Sequence, residues 1–368
     1  MKFVKTENLK VGMRLARPIY SKTGVLLFDR DSQLSSAAIE SVKNFGLLGI
    51  YILEPAEPLP PMSEEDREFE RFQTMMVASI QDELGLILSQ KKTKNSMNIA
   101  AQIIRSYGHI DNKINFYQNL RSRDDFVARH SLNVAILCAM VSHALNMPID
   151  DQQKLLLAAL VHDIGRLKSK NEEMYGASGD EERRQELFAE TLRHYDVIED
   201  AFATNGTAIK RMCSQAIKVQ METEAGRPMP VDMDKMVLGA KVLLVANVYD
   251  EKTAMNLSGE SESEVRAIKE FIDHPEIYDK GVVDALIGCI NILFPGVSVE
   301  LSTGEKALVL SENTFNILQP MVLCFKDNSI LDLSLAINSD IYVMDIMKTL
   351  DNRYIMDTDT LKNVTGGN

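Results

Sequence analysis

The chain has 368 residues, 53 acidic against 40 basic side chains, and a formal net charge of -13. At ~100–200 residues per domain this length predicts two or three domains and a sizeable buried core. The acidic balance excludes broad, sequence-independent nucleic-acid binding, which needs a basic face, while leaving room for a locally basic pocket that takes a small anion.

The composition, 45% hydrophobic and 25% charged, is that of a soluble globular protein. Cys138, Cys213, Cys289 and Cys324 form no C-x-x-C pair. They read as small buried hydrophobes rather than zinc or dithiol ligands. Met1–Lys10 lacks the apolar core of a secretory signal, and no apolar run approaches the ~18 residues of a spanning helix. A soluble, cytoplasmic protein is expected.

Residues 1–57 read as a β-rich module, with strands at Val25–Phe28 and Gly49–Leu53 and a helix over Ser35–Phe45 that stops at Gly46. Pro55, Pro58, Pro60 and Pro61 form a stiff linker. Residues 63–121 are read as helical throughout, with Ser63 as the N-cap ahead of Glu64, Glu65 and Asp66. These helices are expected to face the core of the next domain; pairing with a second chain in a homodimer is the alternative.

Residues 122–294 carry the strongest helical periodicity. The pattern predicts an amphipathic helix over Asp124–Asn146 and a second helix capped by Asp150 or Asp151. That second helix runs through Leu155–Val161 to a stop near Gly165. Further helices are expected at 181–199, 205–221, 234–250 and 261–273, with Met174–Asp180 as a mobile loop. From Pro295 the alternation turns to strands at Val297–Leu301, Ala307–Leu310, Pro320–Phe325 and Ile330–Leu335. A polar tail, Thr365–Asn368, ends the chain. The fold class is therefore mainly α, a helical bundle with small β modules at both ends, divided at 1–57, 58–121, 122–294 and 295–368.

The chemistry concentrates on His162-Asp163, a polar pair inside an apolar frame. Burial of such a pair must be compensated, either by mutual hydrogen bonding or by a metal suited to imidazole and carboxylate. His130 lies 32 residues earlier, and two antiparallel helices could bring it to His162. His194 follows in the same domain.

Asp124–Ala135, containing Arg129-His130-Ser131, and Leu160–Arg166, containing His162-Asp163-Ile164-Gly165-Arg166, resemble the two histidine motifs of the HD superfamily of metal-dependent phosphohydrolases. More narrowly, the order of segments resembles the HD-GYP family, bacterial signalling phosphodiesterases that open cyclic di-GMP. The resemblance covers roughly residues 120–290. It implies a first metal held by His130, His162, Asp163 and a final aspartate. It implies a second metal sharing Asp163 and using His194 and a pair of histidines. Asp163 and Arg166 become the catalytic candidates, with Arg166 toward phosphate.

The sequence departs from that pattern where the remaining ligands belong. Gln220 and Met221 stand at the histidine pair, followed by a retained Glu222, and Asn247 stands at the final aspartate. The Gly-Tyr-Pro segment falls on Pro228-Met229-Pro230. The stretch Thr253-Ala254-Met255-Asn256 lacks the phosphate-binding arginine. Lys218 and Arg227 read as solvated surface charge. An amide is a weaker ligand than a carboxylate, and a thioether suits hard divalent metals poorly. The expectation is a degenerate HD-GYP-type signalling protein with an incomplete site for iron, manganese or zinc, weak or lost hydrolysis of cyclic di-GMP, and a regulatory or binding role. The alternatives are an active phosphohydrolase with one metal, and a metal-free interaction protein with a protein signalling partner.

Overall fold

A computed structural model describes residues 2–53, 62–122, 124–168, 181–226, 233–254 and 261–347. The proline linker at 55–61, the loop Met174–Asp180, Ser169-Lys170, Arg227–Pro230, Met255-Asn256 and the tail Thr365–Asn368 lie outside these residues.

Strands β1 (Lys2–Lys5), β5 (Gly49–Leu53) and β2 (Arg14–Leu15) form an antiparallel sheet in the order β1-β5-β2. A short hairpin of β3 (Ile19–Tyr20) and β4 (Leu26–Phe28) and the helix α1 (Ser36–Asn44) complete the module. Its own core gathers Leu15, Ile19, Leu34, Val42, Ile50 and Ile52. The N-cap of α1 is Ser35, whose Oγ accepts from the Ala38 amide. Strand β1 is an element the charged N-terminal segment did not suggest.

Helix α2 (Glu64–Gln90) starts at Ser63 with a full capping box: Ser63 Oγ accepts from the Asp66 amide, and Asp66 Oδ2 accepts from the Ser63 amide. Helix α3 (Ser96–Tyr107) has no cap of its own. Buried Glu83 of α2 supplies it, accepting from the amides of Lys94, Asn95 and Ser96 and from Ser96 Oγ. Glu83→Ala leaves these donors facing a buried gap, and a loss of about 1–3 kcal/mol is expected in urea unfolding. Glu83→Gln keeps an acceptor oxygen and should lose less; equal losses would count against this capping role.

The helical reading of residues 63–121 holds only as far as Tyr107. Residues 113–122 form no helix and run as irregular, half-buried to buried chain, because their hydrogen bonds go outward to other segments. Ile114 bridges Ile290, and Leu47 bridges Ser122. The Leu48 amide donates to Arg121 O at 2.9 Å. Gln118, Asn119 and Arg121 are consequently placed inside the protein.

Helices α4 (Phe126–Ala144) and α5 (Ile149–Val161) form the centre of the bundle. Every residue of α4 from Phe126 to Ser142 is buried, as expected of a helix enclosed on all sides. The cap of α5 is Pro148, not an aspartate; Asp150 and Asp151 lie in the first turn, where carboxylates favour the positive end of the helix. A 3-10 turn, Ile164–Lys168, follows. Around this centre stand α6 (Glu181–His194), α7 (Asp196–Ala201), α8 (Gly206–Glu224), α9 (Leu238–Thr253), α10 (Glu264–Asp273) and α11 (Lys280–Cys289). The expected helix at 181–199 is thus divided at Tyr195.

Strands β6 (Ser298–Leu301), β7 (Lys306–Ser311), β8 (Met321–Cys324), β9 (Ile330–Asp332) and β10 (Val343–Ile346) form an antiparallel sheet in the order β10-β6-β7-β8-β9. Its inner face, including Val299, Val309 and Val322, is continuous with the core of the helices, and so are Ile80 and Ile103 of α2 and α3. The helices at 64–107 therefore pack inward on the bundle. All four cysteines are buried and unpaired. Among the described residues no helix is long and apolar enough to cross a membrane.

Candidate metal centre

His130 sits in the second turn of α4, His162 ends α5, and Asp163 follows it. The packing of α4 on α5 brings the three together, with one ligand atom of each within 4.8 Å of the others. His130 Nε2 and His162 Nε2 are 3.1 Å apart, and Asp163 Oδ2 is 3.5 Å from His130 Nε2. Asn247 of α9 completes the group, its Oδ1 lying 2.8 Å from His130 Nε2 and 2.9 Å from His162 Nε2. All four residues are buried.

Hydrogen bonds outside the cluster determine what faces inward. His130 Nδ1 lies 2.6 Å from Asp250 Oδ2 and donates to that carboxylate. His162 Nδ1 donates to the carbonyl of Ala159 at 2.8 Å. With Nδ1 of each ring protonated, the Nε2 lone pairs are free to turn toward each other. Asn247 is oriented by a similar chain. Gln220 Nε2 donates to Glu224 and Glu251, so Gln220 Oε1 faces Asn247 and accepts from its Nδ2 at 2.7 Å. That leaves the Asn247 oxygen for the histidines. Neither carboxylate oxygen of Asp163 accepts a hydrogen bond.

Two imidazole nitrogens, an amide oxygen and a buried carboxylate thus converge with acceptors in excess of donors, an arrangement that calls for a cation or protons. The donor set fits one divalent transition metal. Among the described residues no second such group is assembled beside it. Gln220 spends both ends of its amide on neighbours, and the Met221 side chain packs against the apolar core. His194 stands outside the close group; it is half-buried and its Nδ1 bonds the Glu190 carbonyl at 2.8 Å.

Arg166 reaches the other side of Asp163. Its Nη1 lies 3.1 Å from Asp163 Oδ2 and 3.0 Å from Glu251 Oε1. Burial pushes the Asp163 carboxyl up, but Arg166 and the two imidazoles more than reverse this and hold it below the usual range. Burial likewise opposes protonation of both histidines. It prevails at His162, whereas the bond to Asp250 raises His130. Asp250 itself is held down at about 2: burial is outweighed by Arg121 and by hydrogen bonds from His130 and Asn133. Arg121 Nη2 is 2.5 Å from Asp250 Oδ2, and Asn133 Nδ2 donates to Asp250 Oδ1 at 2.8 Å.

Sequence reasoning named His130, His162, Asp163, Arg166, Gln220 and Asn247, and the structure brings these into one network. Lys218 is exposed, as expected of surface charge. The sequence reading missed Asp250, Glu251, Arg121 and Asn133. A signal existed for two of them: Asp250 and Glu251 follow Asn247 by three and four residues and so share its helix face.

Gly165 explains why the turn after Asp163 needs glycine. A Cβ there would lie 2.6 Å from Thr191 Cα, so α6 could not approach as it does. Gly165→Ala is expected to cost about 1–3 kcal/mol in chemical denaturation, by overpacking against backbone that cannot yield. An unchanged midpoint would refute the close-approach argument.

The central helices of the bundle thus bring a histidine and a His-Asp pair into one buried cluster. Residues 127–247 match the HD domain family. The chain is 22% identical over 244 residues to the cyclic di-GMP phosphodiesterase PA4108 of Pseudomonas aeruginosa. That match covers 63% of this chain and 56% of the relative, so it spans little more than half the relative's length. Among solved structures, Bd1817, an HDG"Y"P protein from Bdellovibrio bacteriovorus, aligns with a TM-score of 0.43 at 15% identity, over 77% of this chain and 97% of that one.

Proposed function

We propose that this chain is a signalling protein of the HD-GYP kind, with a site for one divalent metal and weak or no hydrolysis of cyclic di-GMP. The observation that carries the reading is the Gln220–Asn247 hydrogen bond, which ties up the amides at two ligand positions. The role that follows is binding or regulation, exercised through the fold and its metal. PA4108, by its name a cyclic di-GMP phosphodiesterase, supports that compound as the first ligand to try.

His130, His162 and Asp163 would hold the ion, with the Asn247 oxygen as a fourth, neutral donor. The bound metal, iron, manganese or zinc, would supply positive charge for a phosphate and lower the pKa of water. The protein's own residues do the rest. Asp250 and the Ala159 carbonyl keep both imidazoles in the ligating tautomer. Arg166, held on Asp163 and Glu251, supplies a second positive charge where another metal's charge would otherwise be needed. Its reach toward a phosphodiester is restrained by those two carboxylates. In-line displacement gains from metals on both attacking and leaving oxygens, so one metal predicts slow turnover.

Elemental analysis of protein supplemented with iron, manganese and zinc should find about one ion per chain. Incubation with cyclic di-GMP should show binding with little product. Rapid hydrolysis that disappears in His162→Ala would overturn the proposal.

A further inference from the structure

The N-terminal module grips the segment that holds the metal centre's supporting residues. Arg17, between β2 and β3, is buried. Its Nε bonds Glu70 of α2 at 2.6 Å, and its Nη1 donates to the Gln118 carbonyl at 2.8 Å. Its guanidinium lies 4.9 Å from the Tyr51 ring centroid and 4.8 Å from that of Tyr117. One side chain therefore ties the module to the bundle and to residues 117–118.

From Gln118 the contacts continue inward. Gln118 Oε1 accepts from Asn133 Nδ2 at 2.8 Å, and Gln118 Nε2 donates to Thr253 Oγ1 at 2.8 Å. Asn133 Nδ2 also donates to Asp250 Oδ1, and Asp250 Oδ2 takes the His130 Nδ1 proton. A second grip lies three residues along the chain. The Leu48 amide bonds the Arg121 carbonyl, and the Arg121 guanidinium bonds Asp250. Both routes from the module converge on the carboxylate that sets the tautomer and orientation of His130.

The geometry points to a coupling of the N-terminal module to the metal centre, with Arg17 as a positioning residue for His130. The inference rests on the metal reading above for its first measurement but not for its second. The physical basis is that a ligating imidazole keeps its orientation only while its outer hydrogen-bond partner is held. Arg17 and Leu48 hold the segment that presents Gln118 and Arg121, and those residues help hold Asp250. Displacement of the module would therefore loosen the centre, which makes the module a route for a regulatory input.

The test uses the full chain and Co2+ as the probe. Arg17→Met combined with Glu70→Gln removes both polar links without leaving a buried charge unpaired. Arg17→Lys keeps a charge for Glu70 but offers only one nitrogen to its two former partners. Val42→Ala, in the module's own core, controls for general loosening. The Arg17→Met/Glu70→Gln protein should bind Co2+ about tenfold more weakly with an altered visible spectrum, Arg17→Lys should shift less in the same direction, and Val42→Ala should match the unaltered chain. Unchanged cobalt binding in both Arg17 variants would overturn the coupling, as would an equal loss in Val42→Ala. If the unaltered chain takes up no Co2+, the metal reading fails and the coupling is judged on metal-free protein. There the 15N resonance of His130 Nδ1 should move in the Arg17 variants and stay in Val42→Ala; a resonance that does not move overturns it.

Discussion

Asp163→Asn is expected to abolish tight metal binding while leaving the metal-free fold as stable as before, or more so. Asp163 is fully buried, and its oxygens accept no hydrogen bond. Holding a carboxylate there is costly, and only Arg166 and the imidazoles offset it. Asparagine is nearly isosteric and neutral. Its amide could donate toward His130 Nε2, now 3.5 Å from Asp163 Oδ2. Arg166 would retain Glu251.

The loss on the metal side should be large, because the cluster's one anionic ligand is removed. Affinity should fall by at least about a hundredfold, exceeding the effect of altering an outer partner. Thermal melts with and without Mn2+ or Zn2+ provide the check. A ligand at about 100 times its Kd stabilises the native state by ~2.7 kcal/mol, so the unaltered chain should melt higher when metal is added. Asp163→Asn should show no such rise. A metal-induced rise of the same size in the variant would remove Asp163 from the ligand set.

The second large effect concerns Gln220 and Asn247, which the structure makes a single unit. Asn247→Asp alone places a carboxylate oxygen against Gln220 Oε1, 2.7 Å from the present nitrogen. Gln220 cannot turn over to donate, because its Nε2 already serves Glu224 and Glu251. Asn247→Asp should therefore destabilise the metal-free protein by about 1–3 kcal/mol, the cost of replacing a buried hydrogen bond with two facing acceptors. Adding Gln220→His removes the clash and supplies an imidazole. The double variant should regain stability, giving a coupling of at least about 1 kcal/mol in a double-mutant cycle. With Met221→His as well, the metal content should rise from about one ion per chain toward two. Additive stabilities would deny that the two amides act together. An unchanged metal content would mean that the pocket no longer accepts a second ion.

The helix carrying His130 was legible because the apolar spacing from Val127 to Leu145 is local, but the amphipathic face it suggested is not there, since neighbouring segments bury the helix on all sides from Phe126 to Ser142. His162-Asp163 stood out for a related reason: polar residues ending a run as apolar as Leu155–Val161 must be compensated. Strand β5 was read at its observed limits, since its apolar residues are bounded by a glycine turn before and a proline after. Residues 108–121 went the other way. They were read as a continuation of the helices before them, yet most of residues 113–122 bond outward to other segments as irregular chain. Nothing in their own composition shows that the partners of Ile114 and Arg121 are Ile290 and Asp250, more than a hundred residues away.

The candidate centre divides along the same line. By itself the sequence determined which residue types stand at each ligand position, and hence that Gln220, Met221 and Asn247 differ from histidine and aspartate. It also determined the class of bundle, through motifs whose meaning lies in short spacing along one helix. Only the tertiary structure decided what the changed residues do. It showed Gln220 and Asn247 bonded to each other, Met221 packed against the core and Arg166 held by two carboxylates. It also placed His130 under the control of Asp250, Arg121 and Asn133. These are hydrogen bonds among buried groups drawn from segments far apart in the chain, and their geometry exists only once α4, α5, α8 and α9 are packed together.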